Sequence, residues 1–313
     1  MKHILVTGGC GYKGTVLTQE LLKHGYIVTV FDIMWFGNYL EPHENLKIVQ
    51  GDIRDTDSIP TNGVDAIIHL ANVANDPCGD LDPKLSWEIN VLAGMGLIEK
   101  AIQDNVEQFI FASSGSVYGV KDEPDVTEEL SLVPISDYNK TKMIAERLFL
   151  SYKKQIAVQI IRPATVCGYS PRQRLDVAVN LLTMLALKKG HITVFGGDQT
   201  RPNIHMKDIV RVYLHFLKKP ELTGIYNAGF ENISILDIAN MVREVIPAEV
   251  EISESNDPRS YRQNSDKLLS TGFNPEFGVL DGIKEIKEAY EQGLIDDYDN
   301  CYNVRTMKKI LST

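Results

Sequence analysis

The segment from Ile4 to Asp32 constrains the fold more than any other part of the chain. A strand-length apolar run, Ile4–Thr7, leads into Gly8-Gly9-Cys10-Gly11-Tyr12-Lys13-Gly14. A helix-period segment, Gly11–His24, follows, and then a second apolar run, Ile27–Asp32. Gly9, Gly11 and Gly14 satisfy G-x-G-x-x-G, and Gly8, Gly11 and Gly14 satisfy the wider G-x-x-G-x-x-G. Such glycines allow a tight turn and bring backbone close to a pyrophosphate at the helix N-terminus. Asp32 follows Gly14 by 18 residues, close to the spacing of a carboxylate that binds the adenosine ribose of a dinucleotide. Its charge would repel a 2′-phosphate, which favours NAD over NADP. Lys13 is the discordant residue: near phosphate it would soften that preference, and as a solvated helix residue it would not.

The alternation continues. Apolar runs at Lys47–Gly51, Ala66–Leu70, Phe109–Ser113 and Ala157–Ile161 predict strands, and Leu85–Gln103 and Tyr138–Lys153 have helical periodicity. Continuous apolar strands separated by amphipathic helices predict an α/β fold, a doubly wound parallel sheet with helices on both faces. After about residue 163 the pattern loosens. Helices are expected over Asp176–Lys188, Lys207–Leu217, Ile235–Val245 and Leu280–Glu291, with short strands at Ile192–Phe195 and Ile225–Ala228. This reads as a smaller α/β part resting on the sheet. The stretch Gly293–Thr313, acidic and then basic, is expected to be a surface extension.

Charge and cysteine content exclude several classes. The net charge of −10 argues against nucleic acid or an anionic membrane as the main partner. Cys10, Cys78, Cys167 and Cys301 are widely scattered, without a C-x-x-C pair, so a reduced cytoplasmic protein is expected. The histidines lack metal-ligand spacing. No apolar segment is long enough to span a bilayer, and Ile4-Leu5-Val6 is too short for a signal peptide.

Two further strand ends fit the dinucleotide site. Asp52, followed by Ile53, could reach the adenine amino group, and Leu70-Ala71-Asn72 would let the cofactor lie close. His69 reads as a packed strand-end histidine. A catalytic set then follows. The fifth strand ends in Ser113-Ser114, and Tyr138 and Lys142 lie four apart on a helix, facing the same way. Oxidising an alcohol carbon requires a base for the hydroxyl proton. Tyrosine ordinarily titrates near 10. The Lys142 ammonium and a positive nicotinamide ring would favour phenolate, an effect of roughly 4 kcal/mol if the phenol is brought to neutral pH. Ser114 would hydrogen-bond the same substrate oxygen.

Thr7–Gly14, Ser113-Ser114-Gly115-Ser116-Val117-Tyr118-Gly119 and the Tyr138/Lys142 pair together resemble an extended short-chain dehydrogenase/reductase. Arg162-Pro163-Ala164-Thr165-Val166 and Arg201-Pro202-Asn203-Ile204-His205 carry the resemblance to about residue 290. It is similar to the NAD-dependent nucleotide-sugar epimerase/dehydratase group. The resemblance implies a Rossmann domain over 1–166, rejoined by about 204–228, and a substrate domain over 167–203 and 229–313. It also implies a homodimer pairing helices Leu85–Gln103 and Tyr138–Lys153. The positions of Asn180, Arg201 and Arg259 match those that hold a nucleotide diphosphate, and Arg172 and Arg174 are expected to close over the sugar, with Ser114 and Ser116 beside it. Cys167 stands where relatives often have Tyr and is expected to pack near the substrate.

Departures narrow the reaction. Sugar dehydratases carry an Asp-Glu pair directly after the active Ser/Thr, and nucleotide-sugar decarboxylases carry Glu at the second of those positions. This chain has Gly115-Ser116 there. The Cys and His used in 3,5-epimerisation by GDP-fucose synthases are also unmatched. What remains is the minimal chemistry, oxidation at a carbinol carbon with reduction on the other face open, and the resemblance implies 4-epimerisation through a transient 4-keto sugar, in surface polysaccharide or glycan precursor synthesis. The Ser170–Asp176 loop is also similar to GDP-heptose 4-dehydrogenases, which keeps a net dehydrogenase open. A catalytically silent NAD-binding regulator is the third alternative.

Overall fold

The computed structural model describes residues 2–254 and 260–312. The chain first runs β1 (His3–Thr7), α1 (Tyr12–Lys23), β2 (Ile27–Asp32), β3 (Leu46–Gln50) and β4 (Ala66–His69). Three helical pieces follow, α2 (Asp76–Gly79), α3 (Pro83–Trp87) and α4 (Ala93–Gln103), then β5 (Gln108–Ala112), α5 (Asp137–Ser151) and β6 (Ala157–Pro163). The later part holds β7 (Thr165–Cys167), α6 (Ala178–Lys189), β8 (His191–Phe195), β9 (Thr200–His205), α7 (Met206–Lys218) and β10 (Gly224–Ala228). It ends with β11 (Glu231–Ser234), α8 (Ile235–Val245), β12 (Glu249–Ser253), α9 (Asp266–Leu269), α10 (Val279–Glu291) and α11 (Asn303–Leu311).

Seven strands form one parallel sheet in the order β10-β6-β5-β4-β1-β2-β3. Both faces are covered. Ile4 and Val6 of β1 enter one apolar cluster and Leu5 enters the other; Ile110 and Ala112 of β5 are separated from Phe109 and Phe111 in the same way. That two-sided burial is why these strands read as unbroken apolar runs. The strand order reverses between β1 and β4. In a doubly wound sheet the crevice beyond the strand ends at this switch point is the ligand site. The remaining strands form a three-stranded sheet, β11-β9-β7, and a two-stranded one, β12-β8, over a separate apolar cluster with α6, α8 and α10.

Two expectations are changed by the structure. Leu85–Gln103 is helical throughout but not a regular α-helix: a π-helical turn over Glu88–Leu92 joins α3 to α4. Its buried Asn90 donates to Val73 O and Thr141 Oγ1 and accepts from Val73 N, so the turn inserts a polar tie between β4's exit and α5. The C-terminal stretch is also not a loose surface extension. Cys301, Asn303 and Met307 are buried, and Val304, Met307 and Ile310 pack into the same cluster as Phe31 and Phe36.

Helix α5 is held by a buried ion pair. Arg162 on β6 donates from Nε and Nη2 to the two Glu146 oxygens at 2.9 and 2.7 Å. Its Nη1 donates to Tyr118 Oη at 2.7 Å, and Ser113 Oγ also donates to Glu146. Both partners are almost fully buried. Removing one partner from such a pair leaves a stranded charge and costs about 3–5 kcal/mol. Arg162→Met should lose stability by that amount in urea titration. The Glu146→Gln/Arg162→Met double variant should be less destabilised than Arg162→Met alone; equal or greater loss would mean the pair is not mutually compensating.

Candidate active site

The glycine turn ends β1 under a backbone constraint. Gly8 has φ +74°, and a Cβ there would lie 2.6 Å from Ala71 N. A Cβ on Gly14 would strike the Gly8 carbonyl oxygen. The turn therefore presses β1, the start of α1 and the exit of β4 together, leaving bare backbone at the switch point. Asp32, at the end of β2, accepts from Cys10 N at 2.9 Å and Met34 N at 2.7 Å. Burial raises its carboxyl above the ordinary value, opposed by those two amides and by the charge of Arg172.

A cavity of about 860 Å³ opens over this turn. Of the residues singled out by sequence, Gly8, Gly11, Tyr12, Lys13, Gly14, Asp32, Asp52, Ile53, Leu70, Ala71 and Asn72 line it. Ser114, Ser116, Tyr138, Arg172, Arg174 and Arg201 line the same space, which continues to Leu181, Phe195 and Ile235 of the smaller part. The volume, the glycine cradle and the carboxylate at the strand end fit a dinucleotide. The orphaned Asn72 Oδ1, buried without a partner among the described residues, offers it one more acceptor.

Ser136 caps α5 by accepting from Asn139 N, which starts the helix one residue before Tyr138. Lys142 lies one turn on, buried behind the tyrosine rather than lining the cavity. Its ammonium donates to Ala112 O at 2.8 Å and sits 6.0 Å from the Tyr138 ring centre. Ser114 Oγ lies 2.7 Å from Ser116 Oγ, and Ser116 in turn donates to Asn139 Oδ1 at 2.5 Å. Ser114 stands close enough to Tyr138 to favour its ionised form.

Electrostatics here differ from the sequence expectation. Burial dominates and pushes the Tyr138 phenol up to about 12. The leading opposing influence is the Arg174 charge, followed by Ser114. Lys142 is itself held well below its ordinary value, by burial first and then by Lys13, with Glu146 opposing. Lys13 is pushed down to about 8 by burial and Arg174. Lys13 is thus not a solvated helix residue: it shares the cavity with Arg174. His69 is buried, pairs with Thr7 Oγ1 at 2.7 Å and stacks on Phe111, as a packed residue does.

The arginines divide. Arg174 donates to Asp176 Oδ1 at 2.5 Å, and Asp176 also accepts from Asn75. Arg172 is 4.1 Å from the Phe36 ring centre, four residues beyond Asp32, which places it beside the loop after β2. Asn180 does not face the cavity. Its amide donates to Tyr12 Oη and Arg174 O and accepts from Gly168 N, fixing the loop instead of reaching a ligand. Cys167 is fully buried against Ile204 O. Arg259 lies outside the described residues. Sequence reading missed Phe36, Asn75, Asp176 and Asn303, all of which line the cavity. Only Asp176 had a signal, as the last residue of the Ser170–Asp176 loop.

The NAD dependent epimerase/dehydratase family model matches residues 4–229. UDP-glucose 4-epimerase of Corynebacterium glutamicum is 28% identical, over 94% of this chain and 97% of its own. An uncharacterized UDP-glucose epimerase of Bacillus subtilis, YtcB, is 31% identical over 77% of this chain and 81% of its own. The crystal structure of UDP-glucuronic acid 4-epimerase from Bacillus cereus, in complex with UDP-glucuronic acid and NAD, superposes with TM-score 0.81. It is 28% identical and covers 93% of this chain and 99% of its own.

Asp32 generates a prediction about selectivity. In titrations followed by protein fluorescence, NAD should bind at least about tenfold more tightly than NADP, the cost of one charge-assisted hydrogen bond lost. Asp32→Ala should narrow the gap. Equal affinities in the unaltered protein would mean that Lys13 and Arg172 outweigh the carboxylate.

Proposed function

Because the chain belongs to the NAD dependent epimerase/dehydratase family, whose cofactor is NAD, we propose that it is a nucleotide-sugar 4-epimerase. The observation that carries this reading is one cavity lined by the glycine turn, Ser114, Tyr138 and Arg201 together. The relatives named as UDP-glucose 4-epimerases support it across nearly their whole length. The residues after Ser114, Gly115 and Ser116, carry no carboxylate for elimination.

In this reading Tyr138 removes the C4 hydroxyl proton. Ser114 holds the substrate oxygen, and Lys142 backs the tyrosine from inside the sheet. NAD, when bound, supplies a reversible acceptor for the C4 hydrogen and a positive ring that favours phenolate. The 4-keto sugar then turns in the cavity, so that the hydrogen held by the reduced cofactor would return to the opposite face of C4 while Tyr138 returns the proton to the oxygen. Gly8, Gly11, Gly14, Asp32 and the strand ends at Asp52 and Leu70–Asn72 hold the dinucleotide. Arg201 holds the nucleotide diphosphate, Arg259 joins it, and Arg174 meets the sugar side near Tyr138. This division assigns residues 1–166 and 204–228 to the cofactor and most of the rest to the substrate. The activated sugar serves glycan or surface polysaccharide assembly.

A homodimer in the cytoplasm completes the proposal. Leu92 and Met95 are exposed beside exposed Ile144 of α5, two adjacent helices with apolar residues facing outward. All four cysteines are free and buried, which suits a reducing compartment. Among the described residues no helix is long and apolar enough to cross a membrane.

Four outcomes test this reading. With a panel of nucleotide sugars, Tyr138→Phe should lower C4 epimerisation by at least ~10²-fold while NAD still binds. Activity of the unaltered enzyme should rise with pH as Tyr138 loses its proton, below the value of about 12 that burial imposes without cofactor. Arg174→Met should move that rise to higher pH, because it removes the leading charge that favours phenolate. Near-normal turnover by folded Tyr138→Phe would remove the tyrosine from the mechanism. For the dimer, Ile144→Glu should give a monomer in analytical ultracentrifugation, and an unchanged mass would place the interface elsewhere.

A further inference from the structure

The C-terminal segment 294–311 spans the cofactor side of the cavity. It leaves the smaller part where Ile295 and Cys301 pack with Leu175, and it ends where Met307 packs into the Rossmann core. Between those anchors its polar ties include three to the loop after β2 and the Arg172–Asp176 stretch. Asn300 Nδ2 donates to Tyr39 Oη at 2.8 Å, on the loop after β2. Asn303 N donates to Asp176 Oδ2 at 3.1 Å. Asn303 Oδ1 accepts from Arg172 Nη2 at 2.7 Å.

Arg172 is the centre of this strap. It is 3% exposed, lies over Phe36, and lines both the large cavity and a small one of about 200 Å³ beneath Tyr298 and Asn300. Its Nε has no hydrogen-bond partner among the described residues. A buried guanidinium with an unused donor is costly unless an anion or acceptor meets it. Its surroundings do not supply one by direct contact: Asp176 is bound to Arg174, and Asp32 is bound to two backbone amides. The donor stands at the wall of a cavity that the glycine turn and Asp32 shape for a dinucleotide.

We propose that segment 294–311 is part of the dinucleotide site: Arg172, held by Phe36 and Asn303, binds the adenosine-diphosphate half of NAD, and the strap retains the cofactor between turnovers. This rests on the placement of NAD along Gly8–Asp32. The arrangement suits an epimerase, which regenerates its oxidised cofactor in each cycle and has no need to exchange it.

Cofactor release and backbone exchange test the proposal. Release of NAD, chased with excess ADP-ribose, should be roughly ten- to a hundredfold faster in Arg172→Met and Asn303→Ala, the effect of losing one hydrogen bond to a charged group. UDP affinity should be unchanged. In the unaltered protein, NAD and ADP-ribose should each slow amide hydrogen–deuterium exchange in 300–311, and UDP should not. This measurement decides alone if either variant fails to fold. Unchanged NAD release in folded variants, or strap protection by UDP but not by ADP-ribose, would overturn the proposal and return Arg172 to the sugar side. Failure of the unaltered protein to bind NAD or ADP-ribose at all would instead overturn the placement on which the proposal rests.

Discussion

A guanidinium and a carboxylate buried together beneath the active site organise the parts that surround it. Arg162 and Glu146 meet through two hydrogen bonds, and each also holds a neighbour: Tyr118 for the arginine, Ser113 for the glutamate. The neighbours extend the network. Tyr118 donates to Asn227 at the end of β10, and the backbone oxygen of Arg162 accepts from Gln263. One pair thus joins the end of β5, helix α5 with Tyr138, strand β6 and the segment leading into α9. Tyr138 lies two turns before Glu146 on the same helix, and Ser114 follows Ser113 directly. The relative position of Tyr138 and Ser114 is therefore set by an interaction that neither makes. Buried pairs of this kind cost desolvation, and their gain here is positional.

Burial has a second consequence at Tyr138 itself. Tyr138 and Lys142 are both driven toward their neutral forms, the phenol upward and the amine downward. A positive charge placed in the cavity shifts the phenol back. Lys13, Lys142 and Arg174 all lie close enough to influence one another or the phenol. Arg174, itself paired with Asp176, is the leading charge that favours the ionised phenol.

Much of this was legible in the residues. The glycine turn, the spacing to Asp32 and the alternation of apolar runs and helices gave the parallel sheet, because strands covered on both faces have a distinct pattern. The four-residue Tyr138/Lys142 interval placed both on one side of α5. Other features leave little pattern. β7, β9 and β11 are short strands in a small sheet, and their pairing depends on residues far apart in sequence. The π turn at Asn90 follows from one buried side chain finding partners on Val73 and Thr141. The strap was misread because its helix is a little over two turns long and its acidic approach resembles a solvated tail, yet Val304, Met307 and Ile310 carry its packing face. Asn180 and Arg172 were given substrate roles by position within a family pattern. Their contacts, with Gly168 in one case and with Phe36 and Asn303 in the other, depend on how the loop folds back over α1.

The central claim is that the C4 hydrogen leaves and returns within one active-site cycle. A nucleotide sugar deuterated at C4 tests it directly, with products followed by proton NMR and mass spectrometry and the reduced cofactor by absorbance. The account predicts a C4 epimer that keeps its deuterium, with no accumulation of NADH. A keto sugar released without deuterium, matched by equal reduced cofactor, would contradict it and identify a net dehydrogenase.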